Sequence, residues 1–251
     1  MTITINALKE KIRRKELYVV AVLGLLLVIL FSSGAGTLTI DGEPITGYGK
    51  MAPIMIVVVN ALSGALAIAL SIRTIPNEYE RKTSHLIWIR DVKQWQYHGY
   101  LSLANIISSL IAALIMYLGL FIFAVIKQET QGLYRLIPAF FIMAIGVCIV
   151  SLFTSVLSIV LPGMAVGIIS AGCFLVGIFH GVLEIAKDMV GGFTGGIISV
   201  LLKIIPNLNE LQAQAGNMIG GEAVNSHEIF KGLLIIYILT LLFFVFKRKE
   251  A

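Results

Sequence analysis

The sequence predicts an all-α fold: a polytopic membrane protein with six transmembrane helices, an N-terminal interfacial helix, a cytoplasmic helical segment and a re-entrant region before the last span. Three observations predict it. Of 251 residues, 58% are hydrophobic and 13% charged, where a soluble domain carries about 25% charged residues. Apolar runs near the spanning length of about 20 residues recur along the chain, whose mean hydropathy is +0.94. The alternating segments of about 10 residues that mark a transmembrane barrel are missing.

The elements follow in order. Residues 4–16, TINALKEKIRRKE, set Ile5, Leu8 and Ile12 on one helical face with basic residues around the rest, the pattern of a helix lying in the interface. Leu17 to about Phe31–Ser33 is the first apolar run. KIRRK before it and SSGAG after it also resemble a signal peptide, but the run is read as span one. Residues 34–50, with five glycines, Asp41 and Glu43, form an outside loop. Met51–Ile72 is span two and Tyr100–Ile126 span three; after KQETQGLYR comes span four, Leu136–Leu161. Pro162-Gly163 makes a tight turn into span five, Met164–Leu183. Residues 184–228 are glycine-rich and patchily apolar, Ile229–Phe246 is the last span, and KRKEA closes the chain. One transmembrane domain covers 1–251, with no repeat and no separate soluble domain.

Six spans put both termini on one side. With the termini inside, segments 1–16, 73–99 and 247–251 hold 13 Lys+Arg and 6 Asp+Glu, against 6 and 8 outside. The positive-inside rule then places the termini in the cytoplasm. This distribution also accounts for the net charge of +5 without nucleic acid. Within 184–228, Ile197–Ile205 is too short to cross, and lies between GGFTGG and Pro206-Asn207. It is read either as a helix that enters the outer leaflet and returns, covered by protein, or as a surface amphipathic helix.

Chemistry-bearing residues are few. GGFTGG lacks the Gly-Lys-Ser/Thr of a phosphate loop and reads as a helix breaker. Cys148 and Cys173 sit in apolar runs with no metal or redox spacing and read as small buried hydrophobes. The four histidines are scattered, and neither HExxH nor GxSxG occurs. No metal or cofactor is expected on this chain. His180, Glu184 and Asp188 share a helical face by i, i+4 spacing. As ionisable groups near a span they are candidates for substrate or gating contact.

The charged stretch IPNEYERKTSHLIWIR, 75–90, is the largest cytoplasmic segment. Asn77, after Pro76 and three residues before Glu80, has the cap-and-return pattern of a helix start, and the helix is expected to run to about Gln96, either unbroken or with a break near Thr83. Trp88, Val92 and Trp95 would share one face while Arg81, Lys82, Arg90 and Lys93 stay solvated or meet a partner. The tryptophans suit an interfacial anchor; the charges suit a docking helix.

The chain resembles the permease subunits of type-2 ABC exporters in its length, its six spans and its basic interfacial helix. The short segment between spans two and three and the re-entrant region before span six fit as well. The most specific part is Ile75, Glu78, Arg81, Lys82, Thr83, Leu86 and Ile87, with Lys82 where the family usually has glycine and Ile89-Arg90-Asp91 in place of Pro-x-x-Arg. The resemblance implies that 73–99 carries a coupling helix seated on a separate ABC ATPase, which would bind the ATP and magnesium. Glu78, Tyr79, Arg81, Lys82, Thr83, Leu86, Ile87, Ile89 and Arg90 would be its docking residues. It further implies a second permease subunit, identical or similar, an amphipathic cargo such as a peptide, antimicrobial or lipid-like molecule, and a place in the bacterial plasma membrane. The competing readings are an intramembrane enzyme built on His180, Glu184 and Asp188, and a structural or sensor membrane protein.

Overall fold

A computed structural model describes residues 2–34, 39–40, 43–44, 48–81, 92–126 and 130–246. Eleven helices are described: α1 (Thr2–Arg13), α2 (Glu16–Gly34), α3 (Tyr48–Ser71), α4 (Thr74–Glu80), α5 (Gln94–Ile126), α6 (Thr130–Val160), α7 (Gly163–Ile178), α8 (His180–Val190), α9 (Gly192–Ile204), α10 (Leu208–Gly220) and α11 (Ser226–Val245). The described strands are two antiparallel residue pairs, Thr39–Pro44 and Ile40–Glu43, between α2 and α3.

Four helical stretches are long and apolar enough to cross a membrane: Met51–Glu80, Gln94–Ile126, Gly132–Val160 and Ser226–Val245. A fifth is obtained if α7 and α8 count as one bent span. The expected six are therefore met as four or five among the described residues. Helix α2 itself has 19 residues, about the length of a span.

Span five was expected to run straight from Met164 to Leu183. Instead the chain bends by 80° between Ile178 and His180. Leu208 and the Pro206 carbonyl pack against Gly177 on one side of the bend, and Asn209 against Gly181 on the other, so the segment leading into α10 sits in the angle; Glu184, Lys187 and Asp188 follow on α8. The next break falls at Gly191 and Gly192, both at positive φ (59° and 57°), a conformation cheap only for glycine. The other residues of GGFTGG are helical and open α9, which packs back on α8. The helix-breaking expectation thus holds for the first glycines of that motif alone.

The centre of the bundle is built on α5 and α6. Ala104, Ser108, Ser109, Ala112 and Ala113 on α5 are fully buried, as are Ser151, Thr154, Ser155 and Ser158 on α6. Small side chains let helix backbones approach closely, which substitutes for the hydrophobic drive that lipid removes. Helices α2, α3 and α6 surround α5, and α10 lies across α6 and α3. Asn207 caps α10 by accepting the Glu210 N–H at 3.0 Å, and Gly221 at φ 79° ends it in the left-handed conformation usual after a helix. Helix α11 lies at the rim: only 17% of its apolar window is buried.

Two local expectations are corrected. Asn77 lies inside α4, which starts at Thr74; Pro76 falls in the first turn, where its missing N–H removes no intrahelical bond. Lys11 is buried rather than solvated. Helix α1 turns Thr4, Ala7 and Lys11 into the bundle and leaves Ile5 and Ile12 about half exposed, at 47% and 48%. Ile5 and Ile12 therefore face away from the protein, as an interfacial helix in contact with lipid requires, while Leu8 of the same expected stripe is half-buried against the core.

Candidate functional site

At one end of the bundle, α1, α4, the start of α5 and the end of α11 come together. Thr4 Oγ1 donates to the Tyr100 carbonyl at 3.1 Å, and Trp95 stacks on Phe244 with ring centroids 4.5 Å apart. The N-terminal helix, the segment after α3 and the C-terminal end of α11 thus share one end.

Lys11 organises this end. Its ammonium donates to the Leu70 carbonyl (2.6 Å), Asn105 Oδ1 (2.8 Å) and Ser108 Oγ (2.9 Å), which uses all three of its donors. Asn105 Oδ1 also accepts from Thr74 Oγ1 at 2.7 Å, and Asn105 Nδ2 donates to Ser155 Oγ at 2.9 Å. Four helices, α1, α4, α5 and α6, are joined through Lys11 and one amide, and Leu70 adds α3. Hydrogen bonds to a charged group are worth about 1.5–3 kcal/mol each, enough to retain a cation that burial alone would expel. Burial pushes the Lys11 pKa down to about 8, with Glu16 opposing and Arg14 reinforcing the shift.

Next to it, Glu10 Oε1 accepts from Arg14 and from Arg81, each at 2.6 Å. Burial alone would raise the Glu10 pKa; the two guanidiniums outweigh it and hold the carboxyl below its ordinary value. Glu78 Oε2 accepts from the Tyr97 hydroxyl at 2.8 Å. The Tyr79 hydroxyl accepts from Gln94 Nε2 at 3.0 Å and lies 2.6 Å from His98 Nε2. Since Tyr79 already accepts from Gln94, its own proton is available to His98, which is completely buried.

The expected docking residues therefore divide. Glu78, Tyr79 and Arg81 are each tied to another element, α5 for the first two and α1 for Arg81. Lys82, Thr83, Leu86, Ile87, Ile89 and Arg90, with Trp88, lie outside the described residues. Of the second group, His180 is buried and sits 3.2 Å from the Leu202 carbonyl through Nε2. Glu184 and Asp188 are exposed, and Asp188 lies 3.5 Å from Lys187. The structure does not gather His180, Glu184 and Asp188 into one site. No group of three or more potential metal ligands occurs among the described residues, and Cys148 and Cys173 are unbridged.

Sequence reasoning missed Lys11, Thr74, Asn105 and the serine stripe. The signal was available on α6, where Ser151, Thr154, Ser155 and Ser158 repeat at i, i+3, i+4 and i+7, a polar stripe on an otherwise apolar helix. In comparisons with protein-family models and with curated proteins, nothing matches this chain.

Proposed function

We propose that this chain is the membrane-spanning permease subunit of an ATP-driven type-2 ABC exporter, with both termini cytoplasmic in a bacterial plasma membrane. In this reading it holds no catalytic residue. A separate ABC ATPase binds ATP and magnesium, a second permease subunit completes the path, and the cargo is amphipathic. Helix α2 supplies a span and the bent α7–α8 pair another, making six.

The observation that carries the reading is how α4 is held. Arg81 is bound to Glu10 on α1, Glu78 to Tyr97 and Tyr79 to Gln94 on α5, and Thr74 to Asn105 at the central network. A force applied just beyond Arg81 would reach the interfacial helix and two spans together, as a coupling element requires. A tryptophan-anchored helix with no partner has no need of such bracing.

The test is purification of the tagged chain from its native membrane with identification of bound proteins. An ATP-binding chain should co-purify, and Glu78→Ala should leave the permease folded while lowering permease-dependent ATP hydrolysis. Absence of any ATPase among the bound proteins would remove the assignment.

A further inference from the structure

Two chambers adjoin between α6, α7, α9, α10 and α11. The first, of about 410 Å³, is lined by apolar side chains including Phe153, Phe174, Ile235 and Leu239, together with Ser170, Cys173 and Lys203. The second, of about 310 Å³, is lined by His180, Asn207, Glu210, Glu228 and Lys231. Ile149, Pro206 and Ile235 line both, and the stretch 203–211 forms a wall common to the two, with Lys203 on the first and Glu210 on the second. An apolar volume in the range of small-molecule sites with a few placed polar groups is what a ligand pocket consists of.

Two further observations point to a ligand. Ser170 is 1% exposed and His180 8% exposed, and Ser170 Oγ and His180 Nδ1 have no hydrogen-bond partner among the described residues. Buried polar atoms are rarely left so. Charge supplies the rest. Glu228 and Lys231 pair at 2.6 Å and cancel. Glu210 accepts from the neutral amide of Gln214, and no acid pairs with Lys203 among the described residues. One cation and one anion thus remain along the common wall.

We infer that the two chambers form one binding site for a zwitterionic, acylated lipid drawn from the surrounding bilayer. The chain occupies the apolar chamber, Lys203 meets the phosphate, Glu210 meets the ammonium, and Ser170 donates to the acyl carbonyl. Ser170 lies seven residues before Gly177, against which Leu208 and the Pro206 carbonyl pack, so it sits about 10 Å along α7 from the level of Pro206. The chamber wall includes Ile204 and Ile238, which are 74% and 48% exposed; it is continuous with the outward apolar faces of α9 and α11, the route by which a lipid would enter.

Cys173 provides the readout. The full-length Cys148→Ala chain, held in nanodiscs of phosphatidylglycerol, is alkylated at Cys173 with N-ethylmaleimide while lysophosphatidylethanolamine is titrated in. Labelling should slow on addition of this lipid and not of lysophosphatidylglycerol. Lys203→Glu and Glu210→Gln, both at positions in contact with solvent or lipid, should weaken the protection about threefold or more, the loss of one partly exposed ion pair. Ser170→Ala should weaken it without changing head-group preference. Equal protection by both lysolipids would show an unselective apolar void and overturn the proposal. So would protection unaltered in Lys203→Glu and Glu210→Gln, or no protection at all. Binding is read on the chain alone, so these outcomes are independent of whether an ATPase partner exists.

Discussion

Lys11 Nζ and Asn105 Oδ1 stand 2.8 Å apart across 94 residues of sequence, and the pair decides how the interfacial helix attaches to the bundle. Removing either partner has different consequences. In Lys11→Met the Thr74 hydroxyl lies within reach of both the Leu70 carbonyl and Asn105 Oδ1 and has one proton to share between them, so at most one neutral acceptor is left short and no charge is left unpaired. Replacing a buried ion by an apolar side chain of similar shape is often near neutral. Thermal unfolding of Lys11→Met should move by no more than about 1 kcal/mol. Asn105→Leu, in contrast, strips a buried ammonium of one acceptor and should destabilise by about 1–3 kcal/mol. Equal effects of the two substitutions would contradict the network as described.

The same lysine sets a pH dependence. Its pKa is near 8 in the folded chain against 10.5 ordinarily, burial being the chief cause. Between these values the unfolded chain binds more protons than the folded one, so stability rises with pH across about 8–10.5 and is flat with respect to this group below 8. Glu10, Arg14, Glu16, Arg73 and Glu78 line the same crevice. A thermal-unfolding series from pH 7.5 to 10.5 should show the rise in the unsubstituted chain and a smaller one in Lys11→Met.

Glu10 behaves in the opposite sense. Its folded pKa is held below 4.5 by Arg14 and Arg81 against the effect of burial. Its contribution is present above pH 4.5 and is lost as pH falls through the folded value. The two ion pairs are substantially exposed, so a Glu10–Arg81 double-mutant cycle should yield about 0.2–1 kcal/mol, shrinking in high salt. A coupling unchanged in molar salt would mean that the two groups do not pair as an exposed ion pair.

How much of this was legible beforehand follows from which forces leave a one-dimensional trace. Apolar length placed α3 and α11 to within three residues and α5 and α6 to within six, because the bilayer fixes that length locally; the missed turns of α5 and α6 are their polar first residues, Gln94–Gly99 and Thr130–Arg135. The bend at Phe179 was not legible, since it depends on α10 packing against Gly177 and Gly181 through Leu208 and Asn209, about 30 residues downstream. Lys11 was misread for a related reason. An amphipathic helix reports its apolar stripe, while its polar stripe looks the same whether it meets water or, as here, the acceptors of Leu70, Asn105 and Ser108. The chambers beside α7 and α11 arise only in three dimensions.

A second long-range polar pair tests how α10 is held. Asn60 Nδ2 donates to Gln212 Oε1 at 2.9 Å, both residues buried. It joins α3 to a helix expected only as part of an irregular region. Hydrogen bonds between membrane helices average about 0.6 kcal/mol and reach about 1.7. A cycle of Asn60→Ala, Gln212→Ala and the double variant should give a coupling in that range, measured by unfolding in detergent. Zero coupling would show that α10 is held by its apolar side chains alone.

The close approach of α3 and α7 gives the sharpest steric test. A Cβ on Gly64 would run into the ring of Phe174. That ring is nearly buried and also lines the apolar chamber, so it has somewhere to move. Inserting one methyl into a packed core usually destabilises by about 1–3 kcal/mol; here the void allows the ring to swing aside, which places Gly64→Ala at the lower end. Gly64→Val has no such relief and should destabilise more. The displaced ring occupies chamber volume, so Gly64→Ala should also slow N-ethylmaleimide alkylation of Cys173 with no lipid added. Unchanged alkylation in a destabilised Gly64→Ala chain would mean that the helices separate and the ring stays where it is.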